Sequence, residues 1–153
     1  DMLRARAKAT IGKVLDLSIA GRLGMVVDGT GRNYGKISSQ VRMLKELGYD
    51  CYMVFVNTSL NVALERNKQR ERTVPAYATT KSWEQVQSNM GKFQNLFGLS
   101  NFIVVDNNAN ERELATITIN KMNKVIRGLL SRSISSYTAK RWMATERKIR
   151  RRT

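Results

Sequence analysis

The chain has 153 residues, 42% of them apolar and 25% charged, with 27 Lys and Arg against 12 Asp and Glu for a net charge of +15. That length suits one domain with a proper core; no apolar run approaches the roughly 20 residues of a membrane span, so no membrane partner is expected, and an N-terminal region dotted with Arg and Lys rather than carrying an apolar block gives no sign of a signal peptide. The absence of histidine excludes His-based acid–base chemistry and His metal sites, while the single cysteine, Cys51, excludes an intrachain disulfide and points to a reducing, cytoplasmic setting.

In chain order, Leu3, Ala7, Ile11, Val14, Leu15 and Ile19 recur at helical spacing, with Gly21 and Gly24 as the stop. "GMVV" at 24–27 then reads as a buried strand. Ile37, Val41, Leu44 and Leu47 make an amphipathic helix closed by Gly48, and "CYMVFV" at 51–56 is a second strand rich in β-formers. Asn57, Thr58 and Ser59 offer caps for a helix over roughly 60–69. A charged stretch, "RNKQRERTVP", leads to the only proline, Pro75. A further helix starting near Ser82 places Trp83, Val86, Met90 and Phe93 on one face, where the two aromatics read as core. "NFIVVD" at 101–106 is a third strand, followed by a helix holding Leu114, Ile117 and Met122. Continuous apolar strands alternating with helices predict an α/β fold, a three-layer parallel sheet covered by helices on both faces.

The positive charge is unevenly spread. From Lys124 onward there are ten Lys and Arg and one acidic residue, Glu146, so nine of the fifteen excess charges sit in that last stretch. The division expected is a domain over 1–130 and a basic helical tail over 131–153. Such an excess implies an anionic partner, either nucleic acid or an acidic protein surface.

"MVVDGTGRNYGKISS" at 25–39 has the look of a phosphate loop: strand, glycines, basic residues, helix. It fails the test. A Walker loop needs G-x-x-x-x-G-K-[ST], whose amides wrap the phosphates while Lys and the hydroxyl serve the γ-phosphate and magnesium. Here Gly35-Lys36 is followed by Ile37, and Thr30 stands where the first glycine belongs. The dinucleotide pattern G-x-G-x-x-G fails at Tyr34. What remains is a strand ending in Asp28-x-Thr30, at the edge where parallel sheets place ligands.

Some 35 residues on comes Arg66-Asn67-x-x-Arg70-x-Arg72-Thr73-Val74-Pro75, and the chain opens on Asp1-Met2-Leu3-Arg4. In this order the motifs resemble the P-loop kinases of the polynucleotide kinase and zeta-toxin type, over about residues 1–107. Those proteins pair an Asp-x-x-Arg helix and an Asp-Thr-Asn or Asp-x-Thr strand end with an Arg-Asn-x-x-Arg…Val-Pro lid. The Asn of the Asp-Thr-Asn form is Gly31 here. The family's first strand and Walker loop lie before its Asp-x-x-Arg helix, so the resemblance implies an N-terminally incomplete kinase-like domain, inactive without that loop.

The resemblance implies transfer of the ATP γ-phosphate to a hydroxyl of a nucleic acid, nucleotide or nucleotide sugar, with ATP and Mg2+ as cofactors of the form that carries the loop. Asp1 would accept the hydroxyl proton, Arg4 would hold the acceptor, and Asp28 and Thr30 would line the acceptor side. Arg66, Arg70 and Arg72 would form a lid whose guanidinium forks suit phosphate oxygens. A solvated helix end with Glu65 and Glu71 pairing locally is the plainer account of the same residues.

The competing class is a non-catalytic binding or scaffold protein, and phage genomes commonly encode kinases resembling this one, which gives weight to a virion-associated role. "TAKRWMATERKIRRRT" supplies Lys140, Arg141, Trp142, Arg147, Lys148, Arg150, Arg151 and Arg152 for contact with nucleic acid phosphates or an acidic partner. A disordered basic tail is the alternative to both.

Overall fold

The computed structural model describes residues 2–108 and 112–151, without the side chains of Arg4, Lys8 and residues 112–115. Its elements run α1 (Met2–Ala20), α2 (Tyr34–Glu46), β1 (Met53–Asn57), α3 (Leu60–Lys68), α4 (Ala76–Phe97), β2 (Phe102–Asp106), α5 (Arg112–Leu130) and α6 (Tyr137–Arg150). The architecture is α/β, with helices packed on a small parallel sheet. Among the described residues none of the helices is long and apolar enough to cross a membrane.

β1 and β2 pair in parallel, Met53 opposite Phe102 through Asn57 opposite Asp106. Parallel pairing needs a crossover, and α3 and α4 provide it. Phe55 and Phe102 lie on one face of the sheet with ring centroids 5.8 Å apart. α2 and α4 bring Val41, Phe93 and Phe97 against them, and Tyr34, Ile37, Met53, Val86 and Met90 complete the cluster. Val86, Met90, Phe93 and Phe97 follow the three-to-four spacing that puts them on a single stripe of α4, and Phe93 is fully buried. α4 begins at Ala76, six residues before the start expected from sequence. Pro75, at the N-cap, has a fixed φ that suits a helix start, and its carbonyl accepts from the amides of Ala78 and Thr79.

The expected strand at 24–27 does not form. Among the described residues the sheet has two strands, and the three-layer arrangement expected from sequence is not seen. Val26 is 98% exposed and Val27 is exposed as well. An apolar run becomes a strand only when a neighbour pairs its amides and carbonyls, and among the described residues none pairs with 24–27. The same lack shows in α1, whose Leu3, Ile11, Val14 and Leu17 all lie exposed, with no strand among the described residues packed beneath them.

α1 stops through a turn in which the amide of Leu23 reaches the Ser18 carbonyl at 2.9 Å and that of Gly21 the Leu17 carbonyl at 2.9 Å. The left-handed residue of this turn is Arg22, with φ of 53°, not either of the glycines that sequence offered as the stop.

α6 is attached to the rest of the fold at its first turns. Asp50 accepts from the amide of Ser135 at 2.7 Å and from its hydroxyl, and Ser136 caps the helix by accepting from the amide of Ala139 at 3.3 Å. Gly48, with φ of 101°, passes so close that a Cβ there would stand 3.0 Å from the Ala139 nitrogen.

Candidate functional site

Three polar features gather along α4. The first is the loop at 28–33. Gly31 turns it with φ of 72°, and the carbonyls of Gly31 and Arg32 both accept from Asn89 Nδ2, at 3.1 and 2.9 Å. Asn89 is 6% exposed, so its amide is committed to holding this loop. Asn33 caps α2, its Oδ1 accepting from the Lys36 amide at 2.9 Å. The result is an open cleft of about 510 Å³ lined by Thr30, Arg32, Asn33, Tyr34, Gln85 and Asn89. Tyr34 packs against Phe93 with ring centroids 5.4 Å apart and planes tilted by 49°, and lies under the Lys92 ammonium at 5.8 Å. A hydroxyl, a guanidinium and carboxamides in one polar cleft suit a hydroxylated, anionic ligand.

The second feature is the loop between α3 and α4. Asn67, 8% exposed in the last turn of α3, donates from Nδ2 to the Val74 carbonyl at 2.6 Å and accepts from the Val74 amide at 3.1 Å. That two-bonded clasp ties residues 69–75 into a closed loop just before Pro75. Arg70 and Arg72 project from it exposed, and Arg66 is half-buried on α3. Glu65 pairs with Lys68 at 3.2 Å, as a local helix-end pair would; among the described residues Glu71 has no ion pair.

The third feature is the C-terminal edge of the sheet. Gln87 Nε2 donates to Asn57 Oδ1 at 2.8 Å and Trp83 Nε1 to the Thr58 carbonyl at 2.8 Å, so α4 holds the end of β1 in place. Asp106 turns its Oδ1 to the amide of Asn108, whose own Oδ1 accepts from the Ser59 amide at 2.6 Å. These are turn-forming bonds, which account for Asp106 and Trp83 without a ligand.

Of the residues singled out from sequence, Thr30 lines the cleft and Asp28 does not; Asp28 lies exposed on the unpaired segment. Arg70 and Arg72 share one loop. The cleft and that loop are separate along α4, since the nine residues from Ala76 to Gln85 span about 14 Å of helix. Asp1 and Arg152 lie outside the described residues, as does the side chain of Arg4. Lys140, Arg141, Arg147, Lys148 and Arg151 are exposed on or just beyond α6, whereas Trp142 is covered on one face by Arg22 at 5.7 Å.

Three residues that matter here escaped the sequence reading: Asn67, Asn89 and Arg32. Asn89 carries a legible signal, a polar residue beside Met90 and Phe93 on the apolar stripe of α4, which is where a buried carboxamide must have a task. Asn67 sits inside the quoted arginine motif, where the charges draw the eye.

For magnesium-nucleotide the fit is partial. Gly35-Lys36-Ile37 forms the first turn of α2 and lacks the hydroxyl a phosphate loop requires. Among the described residues no group of three or more Asp, Glu or Cys side chains is placed to hold a metal ion. The described residues therefore offer a cleft and an arginine loop, and the sequence spells no G-x-x-x-x-G-K-[ST] cradle for a triphosphate.

Residues 1–93 match the family model described as an AAA domain. The match runs from α1 through the cleft loop, β1 and the arginine loop, and ends within α4 beyond Asn89. No curated protein and no solved structure matches the chain.

Proposed function

The chain belongs to the AAA domain family, a P-loop NTPase-like kinase family whose members bind nucleoside triphosphate with magnesium, and from that premise we propose that residues 1–153 form the acceptor and lid side of a phosphotransferase of the polynucleotide kinase or zeta-toxin type. The observation that carries this reading is the paired use of buried asparagines. Asn89 fixes the Thr30–Arg32 loop against α4 and Asn67, at the end of α3, fixes the Arg70–Arg72 loop through Val74, both within the span that matches the family. Buried carboxamides spent on loop backbone make sense where the loops' side chains must be held in place for a ligand.

In this reading the Thr30 hydroxyl and the Arg32 guanidinium bind the acceptor, which carries both a hydroxyl and a phosphate: a nucleic acid end, a nucleotide or a nucleotide sugar. Asp1 accepts the hydroxyl proton and Arg4 holds the acceptor. Arg66, Arg70 and Arg72 offer guanidinium forks to the charge spread over a transferring phosphoryl group. ATP and magnesium belong with a phosphate loop, which residues 1–153 do not spell. The unpaired apolar segment at 24–28 and the open edge of β1 are the places for the strand that bears such a loop. Pairing with both would bury Val26 and Val27, each contributing about 1.5–3 kcal/mol.

The test is a titration of the 153-residue chain with a nucleoside 3′-phosphate carrying a free 5′-hydroxyl, followed by amide NMR shifts. Saturable shifts at Thr30 to Tyr34, weakened by Thr30→Val and by Arg32→Gln, are expected. Shifts confined to α6, or none at the cleft, would overturn the reading.

A further inference from the structure

We infer that α6 is a rail for the phosphate backbone of duplex nucleic acid, a binding function independent of phosphoryl transfer. The helix is not a loose tail. Asp50 grips Ser135, Ser136 caps the first turn, Gly48 lets the chain approach Ala139, and Arg22 lies over Trp142 one turn later. Its inward side is the half-buried Ala139, Met143 and Glu146, so the one acidic residue of the helix is turned toward the body.

The outward side is basic, and its cations fall into two rows. At 100° per residue, Lys140, Arg147 and Arg151 lie within about 40° of one another, and Arg141 and Lys148 within about 20°. Seven residues of rise separate the members of each row by about 10 Å, and Arg151 follows Arg147 by about 6 Å. All five side chains are exposed. Two rows of fixed cations, splayed by roughly a quarter turn, present charge to the two phosphate walls of a groove about 12 Å wide, which admits one helix.

The neighbourhood argues for duplex over the other anionic partners. A single strand held without sequence preference needs aromatic faces arrayed along one side for its bases. Tyr137 and Trp142 are both exposed, but Trp142 gives one face to the Arg22 guanidinium, and five residues of helix set the two about 140° apart around the axis, so they do not form one platform. A protein interface needs an apolar centre, but the arc between the two rows holds Ala144 and, at the start of the helix, Tyr137, with no large aliphatic side chain. What remains is charge at regular spacing, the signature of backbone contact.

The experiment is fluorescence anisotropy of the full 153-residue chain with a mixed-sequence 20-base-pair duplex, across salt. Five contacts give a slope of log K against log salt of up to about −4.5, at about −0.9 for each phosphate neutralised. Arg141→Gln with Lys148→Gln should reduce that slope by about 1.8, and Lys140→Gln with Arg147→Gln by the same amount. Lys13→Gln with Lys81→Gln, exposed on α1 and α4, should leave it unchanged. An unchanged slope in both α6 variants would overturn the inference, as would tighter binding of the single strand with quenching of Trp142. Displacement of the duplex by an equal charge of polyglutamate would overturn it as well, in favour of an acidic protein partner.

Discussion

The Arg22 guanidinium stands 5.7 Å from the centre of the Trp142 ring while its Nη1 donates to the Leu47 carbonyl at 3.2 Å. One side chain thus joins the end of α1, the end of α2 and the second turn of α6. It does so from a left-handed backbone, φ 53°, which costs a side-chain-bearing residue about 1–2 kcal/mol. The strain is tolerated because that conformation aims the side chain across two other helices.

Two substitutions separate strain from contact. Arg22→Ala keeps the unfavourable φ and loses both contacts, so it should destabilise by about 1–2 kcal/mol. Arg22→Gly loses the same contacts but relieves the backbone, and should recover about 1 kcal/mol of that. Denaturant unfolding of the two variants checks the order. A glycine variant less stable than the alanine variant would mean that the left-handed backbone holds no strain to relieve, since both variants lose the same contacts.

Asn67 should matter more to the arginine loop than any arginine in it. Removing its carboxamide leaves the amide and carbonyl of Val74 without their partners, at a cost of about 1–3 kcal/mol where those groups stay dry. Asn67→Ala should therefore open the loop as well as destabilise the fold. Limited trypsin digestion reads this directly, with faster cleavage after Arg70 and Arg72 than in the wild type. Equal cleavage rates would show that the loop is closed by something other than this clasp.

The helices and the pairing partners were legible because their signals are local. Val41 and Leu44, or Val86, Met90 and Phe93, report a helix face by spacing alone, and the runs at 53–57 and 102–106 are too apolar and β-branched to be anything but buried strands. The run at 24–27 has the same composition and failed, because a strand is a property of two segments and sequence displays only one of them. The site divided in a similar way. Arginines advertise themselves by charge, so Arg70 and Arg72 stood out as candidates, and both lie exposed on one loop. The residues that position the loops, Asn67 and Asn89, act through backbone partners 7 and 57 or 58 positions away, which no local pattern encodes.

Cys51 should behave as a quiet structural thiol. Burial pushes its pKa up from the ordinary value of 9.0; the nearby Lys45 opposes this and Asp50 adds to it. A raised folded-state value means the stability contribution is complete below 9.0, the unfolded value, and is lost as pH rises through the higher folded value. Cys51→Ala removes that dependence. Comparing unfolding midpoints of the two proteins, the wild type should lose ground relative to the variant only on the alkaline side of the ordinary thiol range. At neutral pH iodoacetamide should label the folded chain far more slowly than the denatured one. Rapid labelling of the folded form would show a thiol that burial does not protect.

The sharpest test of the phosphotransferase reading concerns Arg70. Residues 1–153 contain no G-x-x-x-x-G-K-[ST], so this chain by itself should not turn over magnesium-ATP; turnover abolished by Asp1→Ala would contradict that. In a form of the protein that carries a phosphate loop, Arg70→Ala should lower turnover by about 10³-fold or more, because a lid arginine acts on charge that is greatest in the transition state. The same substitution should cost well under about 1 kcal/mol in stability, since Arg70 is exposed and its loop is held by Asn67. Asn67→Ala supplies the contrast: it should lose stability and turnover together, by loosening the loop that presents the guanidinium. Arg70→Lys should not rescue turnover, because an ammonium reproduces the charge but not the two-pronged geometry. Full activity in Arg70→Ala would remove that arginine from the reaction and leave the 69–75 loop with a purely structural role. Rescue by lysine would keep Arg70 in place but reduce its part to that of a point charge.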